Sequence, residues 1–143
     1  MEQSSNKKAR RNHKYTIIIL LILFIIGTVQ ALSGRTGSVT AQTDDNMLGV
    51  VGSYGDPVFV RFDEITGLEL IDAVDFGRCL EGEEKSNTTS GLYENDEFGT
   101  YTLHVYTSSS PYIVISYGDG NTLIFNQKTA KLTREIYEDL AGK

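Results

Sequence analysis

The sequence predicts a mainly β domain: a small seven-stranded barrel capped by one C-terminal α-helix, set behind an N-terminal transmembrane helix. Three observations lead there. A basic block runs straight into an uncharged apolar stretch near the N-terminus, the middle of the chain alternates with a period of two between glycine-rich turns, and the last segment shifts to a period near four. Strands and helices are told apart by those two periods.

Lys7, Lys8, Arg10, Arg11 and Lys14 form a basic cytoplasmic tail over residues 1–14. Residues 15–32, built around Ile17–Ile26, form the transmembrane anchor. A positive flank resists translocation, so the chain from residue 33 onward is expected outside the cell, held by one pass through the cell membrane. The lipid bilayer is thus a partner through the N-terminal helix. As a helix, Thr16–Leu32 reaches about 26 Å, at the short end of what crosses a hydrocarbon core of about 30 Å. Val29-Gln30-Ala31 also offers the small residues read by signal peptidase, which gives a second reading, secretion after cleavage following Ala31. The density of Ile and Leu favours the retained anchor. Residues 33–46 are small and polar, and are expected to be a flexible linker that cannot offset the entropy of ordering.

Residues 1–32 carry a net +4 of the chain's −6, leaving −10 for residues 33–143. Such an acidic surface repels polyanions, which excludes nucleic acid as a partner and argues against anionic headgroups. The single cysteine, Cys79, has no intramolecular partner and is expected to be a small buried hydrophobe.

The folded domain is expected over residues 47–143. Leu48–Ser53 reads as a first strand, turned by Gly55-Asp56-Pro57 into a second in which Val58, Val60 and Phe62 oppose Phe59 and Arg61. Ile65–Ile71 follows, its alternation slipping at Gly67 as a bulge would make it do. Val74–Cys79 and Thr89–Tyr93 read as strands separated by an acidic exposed loop, Leu80–Asn87, that also opens the sequon Asn87-Thr88-Thr89. Tyr101, Leu103 and Val105 oppose Thr102, His104 and Tyr106. Tyr112–Tyr117 is joined by Gly118-Asp119-Gly120-Asn121 to Thr122–Phe125, and these last three strands are expected as a meander. Leu132, Ile136 and Leu140 then lie four apart, with Tyr137 beside them, on a helix from about Thr129 to Ala141. Its cations come early and its acids late, against the helix dipole, so packing rather than its own ends should hold it.

Several of these residues also suggest a family. Phe62-Asp63-Glu64-Ile65-Thr66, Gly77-Arg78, Gly91-Leu92-Tyr93 through Glu97-Phe98-Gly99-Thr100-Tyr101, Pro111 to Ile115, Phe125-Asn126 and Ile136 to Leu140 together resemble the bacterial pleckstrin-homology-like domains. The resemblance covers roughly Leu48 to Leu140. It implies a seven-stranded barrel with a C-terminal helix, commonly attached to membrane segments. It does not imply a phosphoinositide headgroup as ligand, because residues 47–64 contain only Arg61 and the chain has no tryptophan for the final helix. Fold alone does not assign function.

Chemical motifs are sparse. Cys79 with His104 could form a nucleophile and base, but Cys79 follows Gly77-Arg78, without the Thr-Leu-x-Thr of a sortase, and His104 reads as a surface residue on its strand. Glu94, Asp96 and Glu97, like Glu81, Glu83 and Glu84, lack the spacing that wraps a chain around calcium and read as solvated turns. Gly118-Asp119-Gly120 has neither the lysine nor the following helix of a phosphate loop. Tyr101, Tyr106, Tyr112 and Tyr117 read as cross-strand packing before a binding platform. The sequence therefore predicts no catalytic, cofactor or metal site. It predicts a non-enzymatic domain binding a protein or peptide, along an open barrel edge or in a groove beside the terminal helix. The alternative is an anchored or secreted hydrolase using Cys79 and His104 or a pair of carboxylates.

Overall fold

The computed structural model describes residues 34–143; the basic tail and the transmembrane segment lie outside them. Among the described residues no helix is long and apolar enough to cross a membrane. The domain is mainly β with one C-terminal helix. Its strands are β1 (Thr40–Thr43), β2 (Met47–Val51), β3 (Val58–Arg61), β4 (Ile65–Ile71), β5 (Arg78–Glu84), β6 (Thr88–Asn95), β7 (Gly99–Tyr106), β8 (Tyr112–Tyr117) and β9 (Asn121–Phe125), and the helix is α1 (Ala130–Ala141). They form two sheets rather than one seven-stranded barrel. One is β1-β2-β3; the other is β4-β8-β9-β7-β6-β5.

The central strands of the six-stranded sheet are buried on both faces. On one face Ile113, Ile115, Leu123 and Phe125 meet Leu48, Val50 and Val60 of the small sheet, with Leu140 of the helix in the same core. On the other, Tyr93, Tyr101, Leu103, Val105, Val114 and Ile124 are joined by Ile71, Val74, Phe76 and Phe98. This explains why Tyr112–Tyr117 is continuously apolar: a strand covered on both sides gains from every side chain.

Expectations for four parts of the chain need correction. Residues 33–46 are not all linker, since β1 pairs antiparallel with β2 and Val39 is 4% exposed in the core. Only Val39 and Ala41 carried the alternation, too little apolar area to stand out in a polar segment. The stretch 80–87 is not a loop, because most of it belongs to β5, whose residues are exposed apart from half-buried Glu83. An edge strand tolerates charge, so its composition imitates a loop. In turn, Val74 and Phe76 lie before β5 and pack over the sheet face instead of forming a strand. The sequon is also engaged: the Asn87 amide accepts from Gly37 N–H at 2.7 Å and donates to Gly37 C=O at 2.9 Å, with Thr88 and Thr89 buried.

The third correction concerns order. The β8–β9 hairpin inserts between β4 and β7, so β7 lies parallel to β9, with Thr102 opposite Leu123 and His104 opposite Phe125, and no simple meander forms. The fourth concerns the helix. Leu132 is 46% exposed, whereas Thr133 and Leu140 are buried and Ile136 and Tyr137 pack on the core. Positions 133, 136, 137 and 140 follow the i, i+3, i+4, i+7 rule, while a strict step of four drifts around the helix. Thr129 caps this helix, its Oγ1 accepting from Leu132 N–H.

Candidate functional site

His104 lies in the middle of β7, opposite Ser90 on β6, which is opposite Glu83 on β5. One step along, Thr102, Leu92 and Glu81 make a parallel row. Strand geometry puts residues two apart on one face, so the rows share a face and run from the sheet edge inward to the imidazole.

The turn after β2 roofs this face. Ser53 N–H donates to Ser90 Oγ at 3.1 Å, and Ser53 Oγ lies 3.2 Å from Thr88 Oγ1 and 3.3 Å from Ser90 Oγ. Gly52 touches the histidine so closely that a Cβ there would stand 2.0 Å from His104 Nδ1 and 2.6 Å from Ser90 Oγ. No side chain fits. Tyr54 reaches from the roof to the edge, its hydroxyl donating to Glu81 Oε1 at 2.9 Å. The hydrogen bond to this carboxylate raises the tyrosine pKa above its ordinary value.

Beneath the roof is a cleft of about 200 Å³, bounded by Tyr54, Asp56, Val58, Glu81 and Leu92 with His104 at its floor. His104 is 1% exposed, and neither ring nitrogen has a hydrogen-bond partner. Burial pushes its pKa down to about 4, so the ring is neutral at pH 7, with one donor and one acceptor nitrogen. Leaving such groups buried and unmatched costs about 1–3 kcal/mol each, a cost that a ligand or water could offset. A larger hollow of about 570 Å³ lies near Asp45, Met47, Arg61, Asp63 and Lys143, but there Arg61 and Asp63 already pair with each other.

The two residues of the nucleophile–base reading exchange places. Cys79 is exposed, not buried, and His104 is buried, not on the surface. A bulge at Leu80 separates the pair Cys79–Tyr93 from Glu81–Leu92, which leaves Cys79 on the Tyr93 face. His104 belongs to the opposite face, so the structure does not bring them together.

The acidic groups also separate. Glu94 pairs with Arg78 at 2.7 Å and Glu83 lies 3.7 Å from Lys85, while Asp96 and Glu97 lie between β6 and β7. Among the described residues no group of three His, Cys, Asp or Glu side chains could hold a metal ion. Gly118 and Gly120, both at positive φ, make the β8–β9 turn. Tyr101 and Tyr112 are buried, the former donating to Phe76 C=O at 2.7 Å, so the four tyrosines form no exposed platform. Ser90, Gly52 and Tyr54 were not singled out by the sequence. Gly52-Ser53 falls within the strand expected over Leu48–Ser53, which ends at Val51, and nothing in its spacing says what the turn there covers.

Compared with known proteins, no family model, curated protein or solved structure matches the chain.

Proposed function

We propose that this chain is a membrane-tethered, non-enzymatic binding domain on the outer face of the cytoplasmic membrane, which takes up an extended segment of a protein or peptide partner along β5. The observation that carries this reading is the open edge: among the described residues β6 is the only strand paired with β5, and β5 is exposed along nearly its whole length. Unpaired N–H and C=O groups on an edge are a template for an added strand. The opposite edge, β4, is less suited because most of its side chains are half-buried.

The basic block before Ile17–Ile26 supports the tether and its orientation. The resemblance to bacterial pleckstrin-homology-like domains supports the same reading through the residue pattern and the helix that ends a β domain. Nine strands with β7 parallel to β9 depart from a seven-stranded barrel, so strand order adds nothing to that resemblance. Phosphoinositide is disfavoured because Arg61, the only cation in residues 47–64, is already bound to Asp63, and nearby Lys143 is paired with Asp139.

The test places a photoreactive side chain at Glu84 on β5, or at Glu135 on α1, in the full chain within its own membranes. The expected outcome is a discrete adduct from position 84, mapped by mass spectrometry to one segment of one partner, and none from position 135. Absence of an adduct at 84 overturns the edge as the docking surface.

A further inference from the structure

We propose that the segment taken up on β5 carries a cysteine held in a disulfide, and that Cys79 exchanges into that bond and joins the partner covalently. The inference rests on strand uptake along β5 and names the partner's chemistry.

Cys79 is exposed, lies on the edge strand itself and is the one cysteine of the sequence, so a disulfide formed here joins another molecule. Outside the cytoplasm disulfides persist, and such a thiol meets them.

Strand geometry sets the reach. In an antiparallel pair the Cα atoms of residues directly opposite lie about 4.5–5.5 Å apart, within the span of about 4.4–6.8 Å that a disulfide bridges. A strand added beside β5 is the immediate neighbour of Cys79, so a cysteine opposite it bonds without leaving the sheet. The bulge at Leu80 sets the thiol on the face of Tyr93 and Gly82, and its Sγ lies 3.3 Å from where a Cβ on Gly82 would stand. Glycine keeps that side of the sulfur open. A second copy of this chain fits less well, because a two-fold axis through Cys79, near the start of β5, would pair Arg78 only with Leu80 and leave the rest of both strands unpaired.

Tyr93 shows what the thiol has beside it. It stands opposite Cys79 on β6 and is 2% exposed, and its hydroxyl faces the sulfur with no hydrogen-bond partner. Burial, and after it the neighbouring sulfur, raises the tyrosine pKa, so the phenol keeps its proton. A thiolate, the attacking form in exchange, accepts that proton in a hydrogen bond that a neutral thiol accepts only weakly. Cys79 Sγ gives its proton to water and attacks one sulfur of the partner's disulfide. The new S–S bond forms, the old one breaks, and the second sulfur leaves as a thiolate that takes a proton back from water, with no net oxidation.

The first test digests native membranes carrying the full chain, quenched with N-ethylmaleimide and left unreduced. Mass spectrometry is expected to find Cys79 joined to a cysteine within the segment that the photoreactive side chain at position 84 labels. Cys79 recovered only as the maleimide adduct, or joined only to a small thiol, overturns the exchange; strand uptake stands where position 84 still labels its segment, and falls too where it does not. The second test follows the full chain reacting with dipyridyl disulfide by absorbance. Tyr93→Phe removes only an unpartnered hydroxyl, leaves the domain folded and should slow the reaction by about tenfold. A ring-fluorinated tyrosine in the same place, a stronger donor of nearly the same shape, should restore the rate. Equal rates for all three overturn the part given to the hydroxyl.

Discussion

Asn126 and His104 are both shut away from solvent, at 0% and 1% exposure, yet the fold treats them in opposite ways. Asn126 follows β9 and uses every part of its amide: Nδ2 donates to Tyr106 C=O at 3.1 Å and to Ser109 C=O at 2.8 Å, and Oδ1 accepts from Tyr106 N–H at 2.7 Å. It ties the end of one strand to the connection between two others. His104, whose own C=O accepts from Asn126 N–H, makes no side-chain hydrogen bond. One buried polar group thus shapes the backbone, and its neighbour is left with unmet bonding capacity beside a cleft. Polarity and burial are alike in the two. What separates a structural group from a candidate binding group is whether the chain has already satisfied it.

The largest effect that would sharpen this contrast is expected at the satisfied site. Asn126→Leu strands Tyr106 N–H, Tyr106 C=O and Ser109 C=O, and should lower stability by about 3–5 kcal/mol in urea unfolding. A loss below about 1 kcal/mol would mean that water replaces the amide, and would dissolve the distinction.

The next effect belongs to His104 and depends on pH. Its folded pKa, pushed down to about 4, lies below the ordinary value of 6.5, so the unfolded chain takes up the proton first as pH falls. The stability contributed by the neutral ring is complete above about pH 6.5 and is lost progressively towards pH 4, to a total of about 3 kcal/mol. Unfolding wild type and His104→Gln at matched pH values cancels the carboxylates common to both. The variant should lose less stability across that window. Identical pH dependence would show that the imidazole holds a proton-sharing partner in solution.

The smallest effect tests the roof. Gly52→Ala forces a methyl group against His104 Nδ1 and Ser90 Oγ and should cost about 1–3 kcal/mol. Adding His104→Ala should recover part of that loss, since the ring is what the methyl meets. Additive losses would place the roof elsewhere.

The mainly β class and the C-terminal helix were legible because they rest on periodicity over long stretches. Ile65–Ile71 and Tyr112–Tyr117 are strands as their patterns predict, and the helix covers Ala130–Ala141. The signal failed where a strand has little to bury. β1 and the residue before it offer only Ala41 and Val39 to the core, and β5 lies at an edge where Glu81 and Glu84 cost nothing. Site prediction failed for a related reason. Alternation says that His104 and Leu103 face opposite ways, but in a sheet covered on both sides neither direction is solvent. A one-residue bulge at Leu80 likewise decides which face Cys79 joins. The roof over the cleft depends on contacts between Gly52-Ser53 and Thr88-Ser90-His104, remote in sequence, and no local pattern encodes them.

The strand order also decides when the domain can close during synthesis. β4 is made early, but its partner in the sheet is β8, so Ile71 waits for Tyr112 and Ile65 for Tyr117. Meanwhile β5, β6 and β7 can zip together as successive hairpins, whose pairings are local. A chain emerging N-terminus first therefore carries Leu68 and Leu70 unpaired until the β8–β9 hairpin arrives to slot between β4 and β7. Completion runs from the C-terminal side, and a nascent chain halted before Tyr112 has no sheet partner for its first long strand.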